Sequence, residues 1–300
     1  MSNVSYVELK RYLPPAVKNV LTIGGSSWIG EVDATTVLKY PHDRGEENEV
    51  FETESKILNV FGKHPRIIEL KAYTDDGLYL ERAINGDLYE YLKTHLSISI
   101  QQRLTCCRQT AEAVAYAHSK RVIHCDIRPR NLLLDDNLDL KLADFQGEYL
   151  SAEEEVLLNG FASEPCKFSC PRQSADHADV KTDLFALGST IYCIIMGHEV
   201  FPDLIGDDDA TEEEVQCRFL ARQYPSDSHA CSVITTKCWD QVYNSAMEVL
   251  DDIDAIVNLN KYERQAGSGD SYGQEGDQLR KEWLVKHNLR SQIIDPFHTQ

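Results

Sequence analysis

The stretch VIHCDIRPRNLLLDDNLDLKLADFQG, Val122 to Gly147, decides how this chain is read. An apolar, strand-like entry leads to Asp126 and Asn131, five residues apart, and a second apolar run leads to Asp144, eighteen residues beyond Asp126. A carboxylate and an amide on one short loop, with a second carboxylate at a strand end, can converge on a single phosphate-metal cluster.

Outward from that stretch the pattern changes twice. From Lys18 to Tyr40 the runs VLTI, SWIGEV and TTVLKY, broken at Gly24-Gly25 and Asp33-Ala34, read as an antiparallel meander. Glu47 to Phe61 reads as a helix with Val50, Ile57, Leu58 and Phe61 on one stripe, and IIELKAY and GLYLER read as a strand pair turning at Asp75-Asp76-Gly77. After Asn85-Gly86-Asp87 the period becomes helical: Leu88 to Lys93, then Leu104, Cys107, Ala111, Val114 and His118 at spacings of three and four. The expected architecture is α+β: a small antiparallel sheet with one helix, followed by a mainly helical half.

Composition sets limits on partners. The 300 residues hold 30 Lys plus Arg against 49 Asp plus Glu, a formal net charge of −19 that disfavours a phosphate-backbone binder. No nucleic-acid partner is expected. The longest apolar stretch, Leu184 to Met196, is too short to cross about 30 Å of hydrocarbon and reads as a buried helix. The first fifteen residues, MSNVSYVELKRYLPP, carry no apolar leader, so a soluble cytoplasmic protein without a membrane partner is expected. Nine cysteines without a CxxC pair read as reduced thiols, Cys166 and Cys170 lacking a second pair at zinc-ligand spacing. The acidic run Gly206 to Glu214 reads as a surface loop and helix start, and RQAGSGDSYGQEGDQ beyond Tyr262 as a flexible linker. Trp283, Leu284 and Leu289 stand in the tail that follows, as a docking helix or a weakly ordered end.

The central stretch resembles the catalytic loop and metal-binding motif of the eukaryotic protein kinase family. His124-Cys125-Asp126 stands where that family has HRD, and Asp144-Phe145-Gln146 where it has DFG. The resemblance implies a bilobal fold, ATP and Mg2+ as cofactors, and a protein substrate. It makes Asp126 the residue that accepts or orients the hydroxyl proton, Asn131 and Asp144 the metal ligands, and Arg128 a cation near the transferred group. TTVLK is similar to the family's VAIK, which makes Lys39 the clamp on the α- and β-phosphates and Glu54 its ion-pair partner. Leu78 to Ala83 resembles the hinge, where backbone groups near Glu81 and Ala83 would meet adenine. Asp183 to Gly188 resembles the helix start that anchors the catalytic loop, and Cys238-Trp239 a late marker of the helical lobe. The implied division is a lead, 1–17, a kinase domain, 18–258, with lobes of 18–82 and 84–258, and a linker and tail, 259–300.

Several positions depart from the family. In the glycine-rich loop Gly24 alone is retained, Gly25 is displaced, and Thr22 and Ser27 take the outer positions, so a plain hairpin is as good a reading as a phosphate cradle. Cys125 replaces the arginine that meets an activation-loop phosphate, a non-RD pattern that implies activity independent of such phosphorylation. Gln146 replaces the glycine after Asp-Phe, and Gly147 is expected to restore backbone freedom. Ser169-Cys170-Pro171-Arg172 stands where APE is expected, with Ala246 where its arginine partner would fall, so both ends of that buried pair read as replaced. Lys167-Phe168-Ser169 and Arg130 are similar to tyrosine-kinase substrate loops, while a serine or threonine acceptor is the family's commoner case. His124 reads as a packed core histidine beneath Phe145. Two other classes fit parts of the pattern: a pseudokinase scaffold, from the eroded loop, Cys125 and Gln146, and a small-molecule phosphotransferase of the aminoglycoside-kinase type. Oligomeric state is not legible.

Overall fold

The computed structural model describes residues 12–25, 27–43, 49–172, 174, 177–206 and 208–267, with side chains through 258. Residues 1–11 of the lead and the tail from Ser268, with Trp283, Leu284 and Leu289, lie outside the described residues, as do Glu47 and Asp207.

The first lobe is a five-stranded antiparallel sheet carrying one helix. Its strands are β1 (Asn19–Ile23), β2 (Trp28–Glu31) and β3 (Thr36–Tyr40), then helix α1 (Glu49–Phe61), β4 (Leu70–Thr74) and β5 (Gly77–Glu81), in the order β1-β2-β3-β5-β4. Strand period two sorts β3. Leu38 and Tyr40 pack with Val17 on the outer face, while Val37 joins the main core with Phe51, Ile57, Leu58 and Phe61 of α1. Lys39, two residues after Val37, therefore shares the helix-facing side. Gly77, at φ 130° in the β4–β5 turn, has no room for a side chain: a Cβ would lie 2.1 Å from the Lys39 carbonyl oxygen.

The second lobe begins with α2 (Leu88–Thr94), whose N-cap Asp87 accepts from the Glu90 N–H, and α3 (Ile100–Ser119), opened by a Ser99/Gln102 capping box. Then come β6 (Val122–Ile123), a single 3-10 turn (Pro129–Asn131), β7 (Leu132–Leu134), β8 (Leu140–Leu142), β9 (Glu148–Leu150) and β10 (Val156–Asn159). Helices α4 (Val180–Met196), α5 (Asp209–Leu220), α6 (Ser232–Trp239) and α7 (Ala246–Gly267) complete it. Every residue of α4 from Thr182 to Ile195 is buried, as expected of a helix apolar on all sides. No helix among the described residues is long and apolar enough to cross a membrane. The nine cysteines are free thiols.

Two boundaries move from their sequence-based positions. Val17, 7% exposed, packs against Leu38 and Tyr40, so the end of the lead belongs to the sheet. Helix α7 runs past 258 to Gly267, because Lys261, Glu263, Arg264, Gln265 and Ala266 are good helix formers and the Gly/Ser-rich composition starts only at Gly267. The acidic run divides as expected, with Asp208 capping α5. The strands β9 and β10, between Gly147 and Gly160, were not expected from the sequence.

Candidate active site

Lys39 projects from β3 toward α1, where its Nζ lies 2.6 Å from Glu54 Oε2 and also donates to Asp144 Oδ1. The ammonium is buried, which alone would push its pKa down; Asp144 and Glu54 reverse that and hold it above the ordinary lysine value. Burial would raise the Asp144 carboxyl, but Lys39 outweighs it and the net shift is downward. Gln146 adds a neutral donor to the cluster, its Nε2 lying 3.0 Å from Asp144 Oδ1 and 3.4 Å from Glu54 Oε2.

The loop that carries Asp126 is hung on one buried carboxylate. Asp183, in the first turn of α4, accepts from the backbone N–H of His124 at 2.8 Å and of Cys125 at 2.9 Å, and meets His118 Nε2 at 2.9 Å. These bonds hold Cys125 at φ 62°, left-handed backbone that a non-glycine residue rarely adopts. His124 Nε2 meets the Ala143 carbonyl at 3.0 Å while Nδ1 accepts from the Asp126 N–H at 3.2 Å. A carbonyl only accepts, so the ring proton sits on Nε2, and burial lowers the imidazole pKa and keeps it neutral. Phe145 is fully buried edge-on between Phe61, 4.6 Å away, and His124, 4.9 Å away, which joins α1 to this loop.

Asp126 sits at the bottom of the loop. Its Oδ1 lies 3.0 Å from Arg128 Nε, and Asn131 Nδ2 donates to Oδ2 and to the Asp126 carbonyl, both at 2.8 Å. Burial pushes the carboxyl up to about 7, against the pull of Arg128 and Asn131. The Ala143 N–H donates to the Asn131 carbonyl at 2.9 Å, tying the loop to the strand that leads to Asp144.

The segment from Glu81 to Gly86 is pinned on both sides. Glu81 pairs with Lys141 at 3.1 Å, Asn85 N–H donates to Leu134 O at 3.0 Å, and Leu134 N–H donates to Gly86 O at 2.9 Å. The Ala83 N–H makes no hydrogen bond among the described residues. Ile29, opposite Lys39 in the β2–β3 register, and Leu133 on β7 pack on the core yet remain partly exposed.

The comparisons with known proteins place the chain in a family. The family model described as "Protein kinase domain" matches residues 26–268. The chain belongs to the protein kinase family. Among its relatives are rat serine/threonine-protein kinase SIK1, 32% identical over 148 residues, which are 47% of this chain and 18% of that protein. Another is Aurora kinase A-B of Xenopus laevis, 34% identical over 145 residues, 46% of this chain and 35% of that one. The zebrafish serine/threonine-protein kinase SIK3 homolog is 27% identical over 168 residues, 54% of this chain and 14% of that one. The chain thus spans well under two thirds of each of these relatives.

Within this kinase domain, Lys39, Glu54, Asp144 and Gln146 meet in one cluster, and Asp126, Arg128 and Asn131 in the adjoining loop. The Gly24 N–H donates to Ser27 O at 2.7 Å, and a Cβ on Gly25 would touch nothing within 4 Å. Gly147 supplies fit rather than backbone freedom: a Cβ there would lie 2.1 Å from Ile123 O and 2.4 Å from His124 O. Arg172 is not stranded by Ala246, because it finds Glu164, at 3.0 Å and 1% side-chain exposure. Sequence reasoning did not find Glu164, Lys141 or the amide of Gln146. The sole trace of the first was an arginine closing a segment rich in glutamate.

Proposed function

We propose that this domain is an active protein kinase that moves the γ-phosphoryl group of ATP to a serine or threonine hydroxyl of a protein, using Mg2+. The observation that carries the reading is Lys39 joined at once to Glu54 on α1 and to Asp144 beyond the catalytic loop. The donor set fits the cofactors. Asn131 spends its Nδ2 on Asp126 and keeps Oδ1, and Asp144 takes Lys39 and Gln146 on Oδ1 and keeps Oδ2: two hard oxygens for Mg2+. The metal, when bound, would neutralise charge on the phosphate oxygens. The Ala83 N–H and the partly exposed Ile29 and Leu133 suit the edge and faces of adenine. The names of the relatives support a serine or threonine acceptor, and free thiols support a reducing, cytoplasmic setting.

In this reading Asp126 takes the hydroxyl proton as the acceptor oxygen attacks, and Arg128 balances the carboxylate before transfer and the phosphoryl charge during it. Lys39 remains an ammonium throughout and orients the phosphates.

The test offers generic protein substrates and labelled ATP with Mg2+ to the wild type and to Lys39→Ala and Asp126→Ala. Incorporation is expected from the wild type only, as phosphoserine or phosphothreonine. Equal incorporation by all three overturns the reading, and nucleotide-dependent thermal stabilisation without turnover makes the domain a scaffold.

A pH dependence follows from Asp126. A proton acceptor with a pKa raised to about 7 is increasingly blocked in acid. Turnover should rise about tenfold per pH unit below about pH 6 and level off near pH 8. A flat rate profile across that range would exclude Asp126 as the acceptor.

A further inference from the structure

We propose that Gln146 is a positioning residue whose side-chain amide ties α1 to the Asp144 carboxylate, a role that rests on reading Asp144 and Glu54 as parts of the phosphoryl-transfer site. The amide nitrogen reaches Asp144 Oδ1 at 3.0 Å and Glu54 Oε2 at 3.4 Å. The same two oxygens receive Lys39, so each carboxylate oxygen faces two donors and the four groups close a ring. Donors to ionised carboxylates make the stronger hydrogen bonds.

The reach of the amide is set by its backbone. Gln146 N–H donates to Asp144 O at 3.0 Å, and Gln146 O accepts from Ala162 N–H at 3.1 Å. Gly160 lies so close that a Cβ on it would be 2.5 Å from Gln146 O. Three elements therefore meet at this one residue: the segment after β10, helix α1 and Asp144. A glycine here would keep the two backbone bonds and lose the donor. Cys125 stands where the family resemblance places a phosphate-binding arginine, and Gln146 is a tie on α1 that needs no such phosphate. Gln146 holds α1 at the point where Lys39 does, with a donor that adds no charge. The glutamine thus acts as an internal substitute for an ordering phosphate.

The experiment uses the full chain with Gln146→Leu and Gln146→Glu, two side chains of similar size that cannot donate once the glutamate is ionised. Hydrogen exchange is followed without nucleotide for the amides of Glu49–Phe61, with those of Val180–Met196 as the control for intact folding. Both variants should exchange the α1 amides about tenfold faster than wild type, with α4 unchanged. Turnover at saturating ATP should fall by about the same factor. Wild-type protection of α1 in Gln146→Leu overturns the proposal, because packing alone would then suffice. Loss of α4 protection in both variants also overturns it, since Gln146 would then be holding the whole fold. A wild type without turnover removes the kinase reading but leaves the exchange result to decide whether Gln146 ties α1.

Discussion

Replacing Asp126 by asparagine lowers turnover by about 10²–10⁴-fold, the range expected for loss of a positioned proton acceptor, and at the same time raises the melting temperature. The two effects have one cause. Asp126 is 7% exposed, and burial lifts its carboxyl from an ordinary 3.8 to about 7. An acid whose folded pKa is raised adds stability only in its protonated form. That contribution is complete below the unfolded value and is lost as pH climbs through the folded one. At pH 8 the native protein holds an ionised group that water would have solvated better. Asparagine keeps an oxygen to accept from Asn131 and carries no charge, so it relieves most of the penalty while giving up the attraction to Arg128. The net gain should be about 1–3 kcal/mol at pH 8, or roughly 2–4 °C per kcal/mol, shrinking toward zero at about pH 5. Thermal denaturation of both proteins at the two pH values tests it. A variant that melts no higher than wild type at pH 8 would show that the buried carboxylate is not strained, and the raised pKa would lose its support.

The positions legible in the sequence are those where the chemistry is local. Strand alternation puts Lys39 on the side of Val37, and helix spacing puts Glu54 among the buried residues of α1. Asp126 and Asn131 are close because one short loop carries both. Asp183 was legible as an anchor only through family resemblance, since nothing in its own neighbourhood shows that it will accept two loop amides. The illegible parts depend on distant pairings. The hairpin of β9 and β10 turns at Ser151–Glu155 without Gly, Pro or Asn, its one turn signal being Ser151, whose Oγ accepts from the Glu153 and Glu155 N–H groups, and Glu154 takes φ 65°. Gln146 read as a lost glycine because sequence shows which freedom is removed, whereas the two carboxylates its amide would reach are assembled by the fold.

Two of the nine described non-glycine residues with positive φ stand in the site itself and are held there by polar bonds. Cys125 and Asp144 both adopt left-handed backbone, at φ 62° and 67°. The first is fixed by Asp183 and the second by its ties to Lys39 and Gln146. Conformations costing about 1–3 kcal/mol each persist only where neighbours over-determine them. The buried pairs are therefore what keep the site in one arrangement.

The pair with the largest expected effect on stability is Arg172 with Glu164. Their nitrogen and oxygen lie 3.0 Å apart at 14% and 1% side-chain exposure, and burial raises the Glu164 carboxyl even though Arg172 pulls it back. Removing either partner alone, as Glu164→Leu or Arg172→Met, takes the nearest counter-charge from a group largely shielded from water. Each single variant should lose about 3–5 kcal/mol in urea denaturation. The double variant Glu164→Leu/Arg172→Met should lose far less than the sum, because two apolar side chains of similar volume leave no charge to desolvate. Additive losses would mean that the two charges do not sense each other, and Arg172 would then have to be held by contacts other than Glu164.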